Sequence, residues 1–66
     1  MEFVEKSKII LDRWISHSDH HQEEYEAFAD ELEEAGKMES ARAVRDMVEL
    51  TSKSTECLKR ALKALG

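Results

Sequence analysis

The residues that break helices constrain this 66-residue chain most, because it contains no proline and only two glycines, Gly36 and Gly66. Good helix formers, chiefly Glu, Ala, Lys, Leu and Arg, fill the segments on both sides of Gly36. Glycine readily adopts the left-handed conformation that ends a helix. The sequence therefore predicts one all-α domain over 1–66, a two-helix antiparallel hairpin with helices over about 2–35 and 38–64 and its turn at Gly36.

Charge is divided unevenly between the two predicted helices. Residues 1–35 carry three basic and eleven acidic residues, a balance of −8, whereas residues 36–66 carry seven basic and four acidic ones, a balance of +3. The halves should attract each other, although one exposed ion pair contributes only about 0–1 kcal/mol. The net charge of −5 argues against a nucleic-acid partner. No stretch approaches the roughly 20 apolar residues that cross a bilayer, so no membrane partner is expected.

Cys57 is the only cysteine, so no disulfide can form within the chain. A lone thiol among so many charges indicates a reducing, cytoplasmic location. Its place at the edge of the second helix's apolar stripe predicts a small buried hydrophobe. A chain this short buries only about 60% of its unfolded surface, so a partner chain or a metal is expected to add stability.

The first helix carries a stripe of residues spaced three, four or seven apart, and the stripe includes two histidines. At about 100° per residue these positions share one face, which predicts that His17 and His21 point inward, opposite Thr51, Ser54 and Thr55. The pattern keeps its phase across Ser16–Asp19, so one unbroken helix is expected there. The stripe consists of Phe3, Ile10, Trp14, His17, His21, Phe28, Leu32 and Ala35, widened on one side by Val4, Leu11, Ile15 and Ala29.

A stripe this wide can touch two neighbouring helices instead of one. The second helix offers a matching stripe, and two helices alone make a thin core. The sequence therefore predicts a homodimer with two-fold symmetry, in which two hairpins form a four-helix bundle. The second stripe consists of Ala41, Val44, Met47, Val48, Thr51, Thr55, Leu58, Leu62 and Leu65.

The histidine pair suggests a divalent metal site. His17 and His21 lie four residues apart and Glu24 three further on, so one face presents two imidazoles and a carboxylate. Zinc or nickel would accept such a set, with His20 at the rim as a further ligand. Antiparallel packing of two first helices would bring four histidines and two glutamates together. Because imidazole coordinates in its neutral form, metal affinity should fall below about pH 6.

The alternative function is a protein–protein interaction module without metal. In it, His17 and His21 hydrogen-bond to Thr51, Ser54 and Thr55, and this polar layer fixes helix register and pairing, as buried polar residues do in coiled coils. An enzyme is not expected, because no nucleophile–base pair or phosphate-binding loop is visible in the sequence.

The segment 11–21, Leu-Asp-Arg-Trp-Ile-Ser-His-Ser-Asp-His-His, is followed by Glu23, Glu24 and the aromatic residues Tyr25 and Phe28. It resembles a group of short, uncharacterised helical-hairpin proteins with a Trp-x-x-His-x-x-x-His signature, matched here by Trp14, His17 and His21. The similarity runs through Gly36 into the second helix. The resemblance implies the fold and a candidate site, and no activity.

Overall fold

The computed structural model describes residues 2–66, so Met1, the first residue of the predicted domain, lies outside the described residues. Helix α1 spans Glu2–Glu34 and helix α2 spans Met38–Ala64, packed antiparallel along their length. Residues 2–66 contain no strand. The predicted all-α hairpin is therefore confirmed, and α1 continues unbroken through Ser16–Asp19. No helix within the described range is long and apolar enough to pass through a bilayer.

The turn is built on Gly36, as predicted. Its φ of +79° is left-handed, and the helix ends one residue before the predicted limit. The Lys37 N–H donates to the Leu32 carbonyl at 2.8 Å, and the Gly36 N–H donates to the Glu33 carbonyl at 2.9 Å. These two bonds form a Schellman motif, which satisfies carbonyls that the end of α1 would leave unpaired.

Gly36→Ala should destabilise the hairpin by about 1–2 kcal/mol, because a Cβ disfavours the left-handed conformation. A Cβ built on Gly36 meets nothing within 4 Å, so the cost comes from the backbone alone. Chemical denaturation measures it. Gly36→Asn is the matched variant and should lose less, because asparagine tolerates positive φ better. Equal losses in the two variants would contradict this explanation.

The two helices meet along one line of residues from each, which we call the seam. In α2 the seam is the predicted stripe except for Met47, which is exposed. In α1 the seam lies one residue after the predicted stripe, except at Leu32, which belongs to both. It consists of Val4, Lys8, Leu11, Ile15, Ser18, Gln22, Tyr25, Ala29 and Leu32, all buried or half-buried.

The predicted orientation of α1 is therefore wrong by one residue, or about 100° of rotation. The residues that were expected only to widen the stripe face α2 instead. Ala29 and Ala41 are completely buried, and Val48 and Thr55 nearly so. Small residues at these positions let the helix backbones approach, whereas Trp14 and Phe28 would hold them apart.

One side of the seam is lined by charges of opposite sign. Arg45 Nη2 lies 2.9 Å from Asp30 Oδ1 and 3.3 Å from Glu33 Oε2. These contacts raise the pKa of Arg45 above its ordinary value, the hydrogen bond to Glu33 first and then the one to Asp30. These ion pairs are an example of the predicted attraction between an acidic α1 and a basic α2. At the free ends of the helices, Lys8 Nζ donates to the Gly66 carbonyl at 2.6 Å.

Candidate functional site

The predicted metal ligands lie on the outside of the hairpin, not in its interior. His17, His20, His21 and Glu24 are all exposed. The side chain of His20 is 73% accessible and that of His21 50%. The prediction that His17 and His21 face inward is therefore wrong, and the cause is the rotation of α1 described above.

The four residues nevertheless form one patch at mid-length of α1. His21 Nδ1 lies 2.9 Å from Glu24 Oε1, while His20 Nε2 lies 3.9 Å from the same oxygen. The rings of His17 and His21 have centroids 5.8 Å apart. The ring of His21 also stacks on Tyr25 at 6.0 Å, with 13° between the planes. Glu24 and Tyr25 therefore fix the orientation of the His21 imidazole.

This geometry has a clear chemical consequence. When Nδ1 of His21 donates its proton to Glu24, the free lone pair is on Nε2. A carboxylate placed in this way orients a histidine for metal binding and raises its basicity. The described part of the chain, however, contains no group of three or more His, Cys, Asp or Glu residues that could hold an ion. A single hairpin thus offers one oriented imidazole, His21, with His17 beside it, and too few ligands to enclose an ion.

A polar layer does cross the middle of the seam, but Ser18 takes the place predicted for the histidines. Ser18 Oγ lies 2.5 Å from Thr55 Oγ1, and the Thr55 hydroxyl donates to the Thr51 carbonyl at 3.0 Å. Because Thr55 has one proton to give, Ser18 is the donor in the first bond. Of the three α2 residues predicted to belong to this layer, Thr51 and Thr55 are at least half-buried, whereas Ser54 is exposed.

The side of the hairpin opposite the Arg45 ion pairs is largely apolar and exposed. We call it the apolar face. Phe3 is 78%, Trp14 55% and Leu50 67% exposed. A groove lined in part by Phe3, Ile10 and Ala61 shows that residues of both helices share this face. Its main side chains are Phe3, Ile10, Trp14 and Phe28 from α1 and Met47, Leu50, Cys57 and Ala61 from α2, with His17 and His21 at its middle.

The sequence pattern contained the signal for this face. In α1 the row with heptad spacing that starts at Val4 is bordered by a row through Trp14 and Phe28, and in α2 a second row from Ala43 through Leu50 to Cys57 has no charged member. Cys57 was predicted to be buried, and this is wrong: its thiol is free and exposed. Its sulfur accepts a hydrogen bond from Arg60 Nη2 at 3.1 Å.

Comparison with known proteins gives one match. Neither the curated proteins nor the solved structures compared with the chain match it. A family described as a domain of unknown function (DUF8180) matches residues 7–65, a span that includes the histidine patch, the turn and nearly all of α2. This agrees with the resemblance to an uncharacterised group of small proteins. The chain belongs to this family, the domain of unknown function DUF8180.

Proposed function

We propose that the hairpin is a protein-interaction module that pairs with a second copy of itself through the apolar face and forms a four-helix bundle. One observation carries the proposal: large apolar side chains of both helices share an exposed face, with Trp14 and Leu50 more than half accessible. Exposed apolar patches that extend over a whole face mark interaction sites on small soluble proteins.

The size of the face suits a stable dimer. The hairpin measures 53 Å by 14 Å in outline, which offers about 700 Å² per copy, or roughly 1,500 Å² for a pair, within the range of specific interfaces. The seam alone buries few side chains, since among residues 2–66 only Ala29 and Ala41 are completely buried and only Val48 and Thr55 nearly so. A second copy would give α1 and α2 the two-layer core that a chain of this length needs.

Two adjacent isoleucines provide the test. Ile10 lies on the apolar face, whereas Ile9 is exposed on the opposite, charged side. Ile10→Glu should weaken the dimer at least 100-fold, because each bundle would then bury two unpaired carboxylates. Ile9→Glu adds the same charge to the same helical turn and should leave the dimer intact. Sedimentation equilibrium of the metal-free protein measures both dissociation constants.

Three results would refute the proposal. The first is a wild-type chain that stays monomeric at hundreds of micromolar. The second is a dimer that Ile9→Glu weakens as much as Ile10→Glu does. The third is an Ile10→Glu variant that keeps the wild-type dissociation constant. Circular dichroism of both variants at the same concentration confirms that the helices still form.

The second candidate function is binding of a divalent metal, zinc or nickel, by His17 and His21, with Glu24 in support of His21. The hydrogen bond between His21 and Glu24 favours it, because the bond leaves Nε2 of His21 available and aims the ring. Imidazole pairs at this spacing on a helix are common ligands of zinc. One hairpin supplies too few ligands for a closed site, so the remaining donors must come from another molecule.

A cytoplasmic location belongs to the same proposal. Cys57 is free and exposed on the apolar face, where an oxidising compartment would convert it to disulfide-linked dimers or other oxidised forms. A reducing environment keeps the thiol compatible with a non-covalent interface.

A further inference from the structure

The edge of the apolar face carries charges that are sorted along the length of the hairpin. Each helix has one row of exposed residues bordering this face, spaced seven apart. Near the turn the row is acidic, and away from the turn it is basic. The acidic members are Glu34, Glu39 and Asp46, and the basic members are Lys6, Arg13, Lys53 and Arg60.

This polarity selects one arrangement of two copies. If both turns lay at the same end of the bundle, the acidic residues of one copy's rows would face the acidic residues of the other copy, and the basic residues would face basic residues. With the turns at opposite ends, the acidic half of each copy faces the basic half of the other. Complementary charges of this kind set orientation and suppress the alternative pairing. The charges therefore favour a two-fold axis perpendicular to the helices, with α1 packed against α1 of the second copy.

The histidine patch lies close to this axis. Helix α1 runs from Glu2 to Glu34, so His17 and His21 flank its midpoint and belong to the face that meets the second copy. The axis therefore brings two such pairs together, and the patch that one hairpin leaves incomplete gains two more imidazoles.

We propose that a divalent metal ion, Zn²⁺ or Ni²⁺, binds between two copies of the chain, held by His17 and His21 of each. This inference rests on the proposed dimer. Four imidazole nitrogens are a complete ligand set for tetrahedral zinc, at about 2.0–2.1 Å from the ion. Glu24 does not ligate the ion in this site. Its bond to Nδ1 of His21 leaves Nε2 to coordinate, so Glu24 acts as a positioning residue. His20 borders the site and contributes no ligand.

Calorimetric titration of the metal-free chain with ZnCl₂ tests the site, in a Cys57→Ser background that removes the only thiol ligand. We expect one ion per two chains. His17→Gln and His21→Gln should each weaken binding at least 100-fold, whereas His20→Gln, the matched change on a neighbouring exposed imidazole, should leave it unchanged. Glu24→Gln should weaken binding about 10-fold while keeping one ion per two chains. One ion per chain, or equal loss in His20→Gln, would overturn the proposal.

A second measurement tests the arrangement without metal. A spin label on Lys37→Cys, again with Cys57→Ser, marks the turn, where the Lys37 side chain makes no capping bond. Turns at opposite ends place the labels about 50 Å apart, close to the 53 Å length of the hairpin, whereas turns at one end place them within about 20 Å. The shorter distance would overturn the proposed site. With both turns at one end, α1 packs against α2 of the second copy, and the two histidine pairs are kept apart.

The two proposals fail in different ways. A metal-free dimer with the long label distance that binds no zinc refutes the metal site and leaves the interaction module standing. A chain that is monomeric with and without zinc refutes both. A chain that is monomeric alone and dimeric only with zinc refutes the module as stated, because the apolar face would then be insufficient, and supports the shared ion.

Discussion

Ala29→Leu is expected to destabilise the hairpin more than any other single aliphatic substitution in α1. Ala29 is completely buried in the seam, as is Ala41 in α2, and together they mark a stretch where the helices can approach closely. Adding a leucine side chain there forces the backbones apart or drives side chains from their preferred rotamers, at a cost of about 1–3 kcal/mol.

The effect of Ala29→Leu is large because the total stability of the hairpin is small. A core of this size supplies no more than about 3–5 kcal/mol of stability, so Ala29→Leu removes a substantial fraction of it. A loss of about 2 kcal/mol corresponds to a fall in Tm of roughly 8–16 °C for a domain of this length. Thermal unfolding followed by circular dichroism measures the change, at one fixed protein concentration because pairing also stabilises the fold.

Ala27→Leu is the matched control. Ala27 lies two residues earlier in the same helix and is exposed, so the same substitution there should change stability by no more than about 0.5 kcal/mol. If the two variants unfolded at the same temperature, the helices could not be as closely packed at Ala29 as the structure places them.

The hairpin itself could be predicted from very few residues. Without proline and with Gly36 as the only glycine inside the chain, two long helices and one turn were the only simple solution. Gly36 then fixed the end of α1 to within one residue, since the left-handed conformation and the Schellman bonds require a residue of this kind there.

The orientation of α1 could not be predicted by counting apolar residues. Apolar residues with heptad spacing lie in neighbouring rows of this helix, one through Trp14 and Phe28 and one through Val4, Leu11 and Leu32. Helical periodicity assigns both rows to one broad face and does not say which of them meets α2. Steric fit determines which side of α1 meets α2, because Ser18 and Ala29 on the side that faces α2 have the small side chains that Ala41 and Thr55 can pack against.

The one-residue rotation of α1 also explains which part of the candidate site could be predicted. A polar layer at mid-length opposite Thr55 was correctly predicted, because the apolar stripe of α2 is interrupted there whichever way α1 is turned. Its partner was misassigned, since a rotation of one residue exchanges His17 for Ser18. The rotation also moves the histidines to the surface, so any ligand they share with another molecule is reached without opening the hairpin.

The hydroxyl pair in the seam leads to the second large stability prediction. Thr55→Val keeps the shape of the side chain but removes the hydroxyl that accepts the Ser18 hydrogen bond across the seam. Leaving that half-buried donor unpaired should cost about 1–3 kcal/mol. Ser18→Ala should cost less, because Thr55 still donates to the Thr51 carbonyl. The loss in the double variant should be smaller than the two single losses added together, by about 0.5–1.5 kcal/mol.

The double variant also tests whether the layer fixes register. Without Ser18 and Thr55 hydroxyls, sliding α1 by one heptad against α2 no longer leaves a buried polar group unpaired. We therefore expect one set of backbone amide signals by NMR in the wild-type chain and additional sets in Ser18→Ala/Thr55→Val. The additional sets should appear even if the denaturation midpoint of the double variant is higher than that of Thr55→Val. A double variant with a single set of signals and undiminished stability would show that apolar packing alone fixes how the two helices meet.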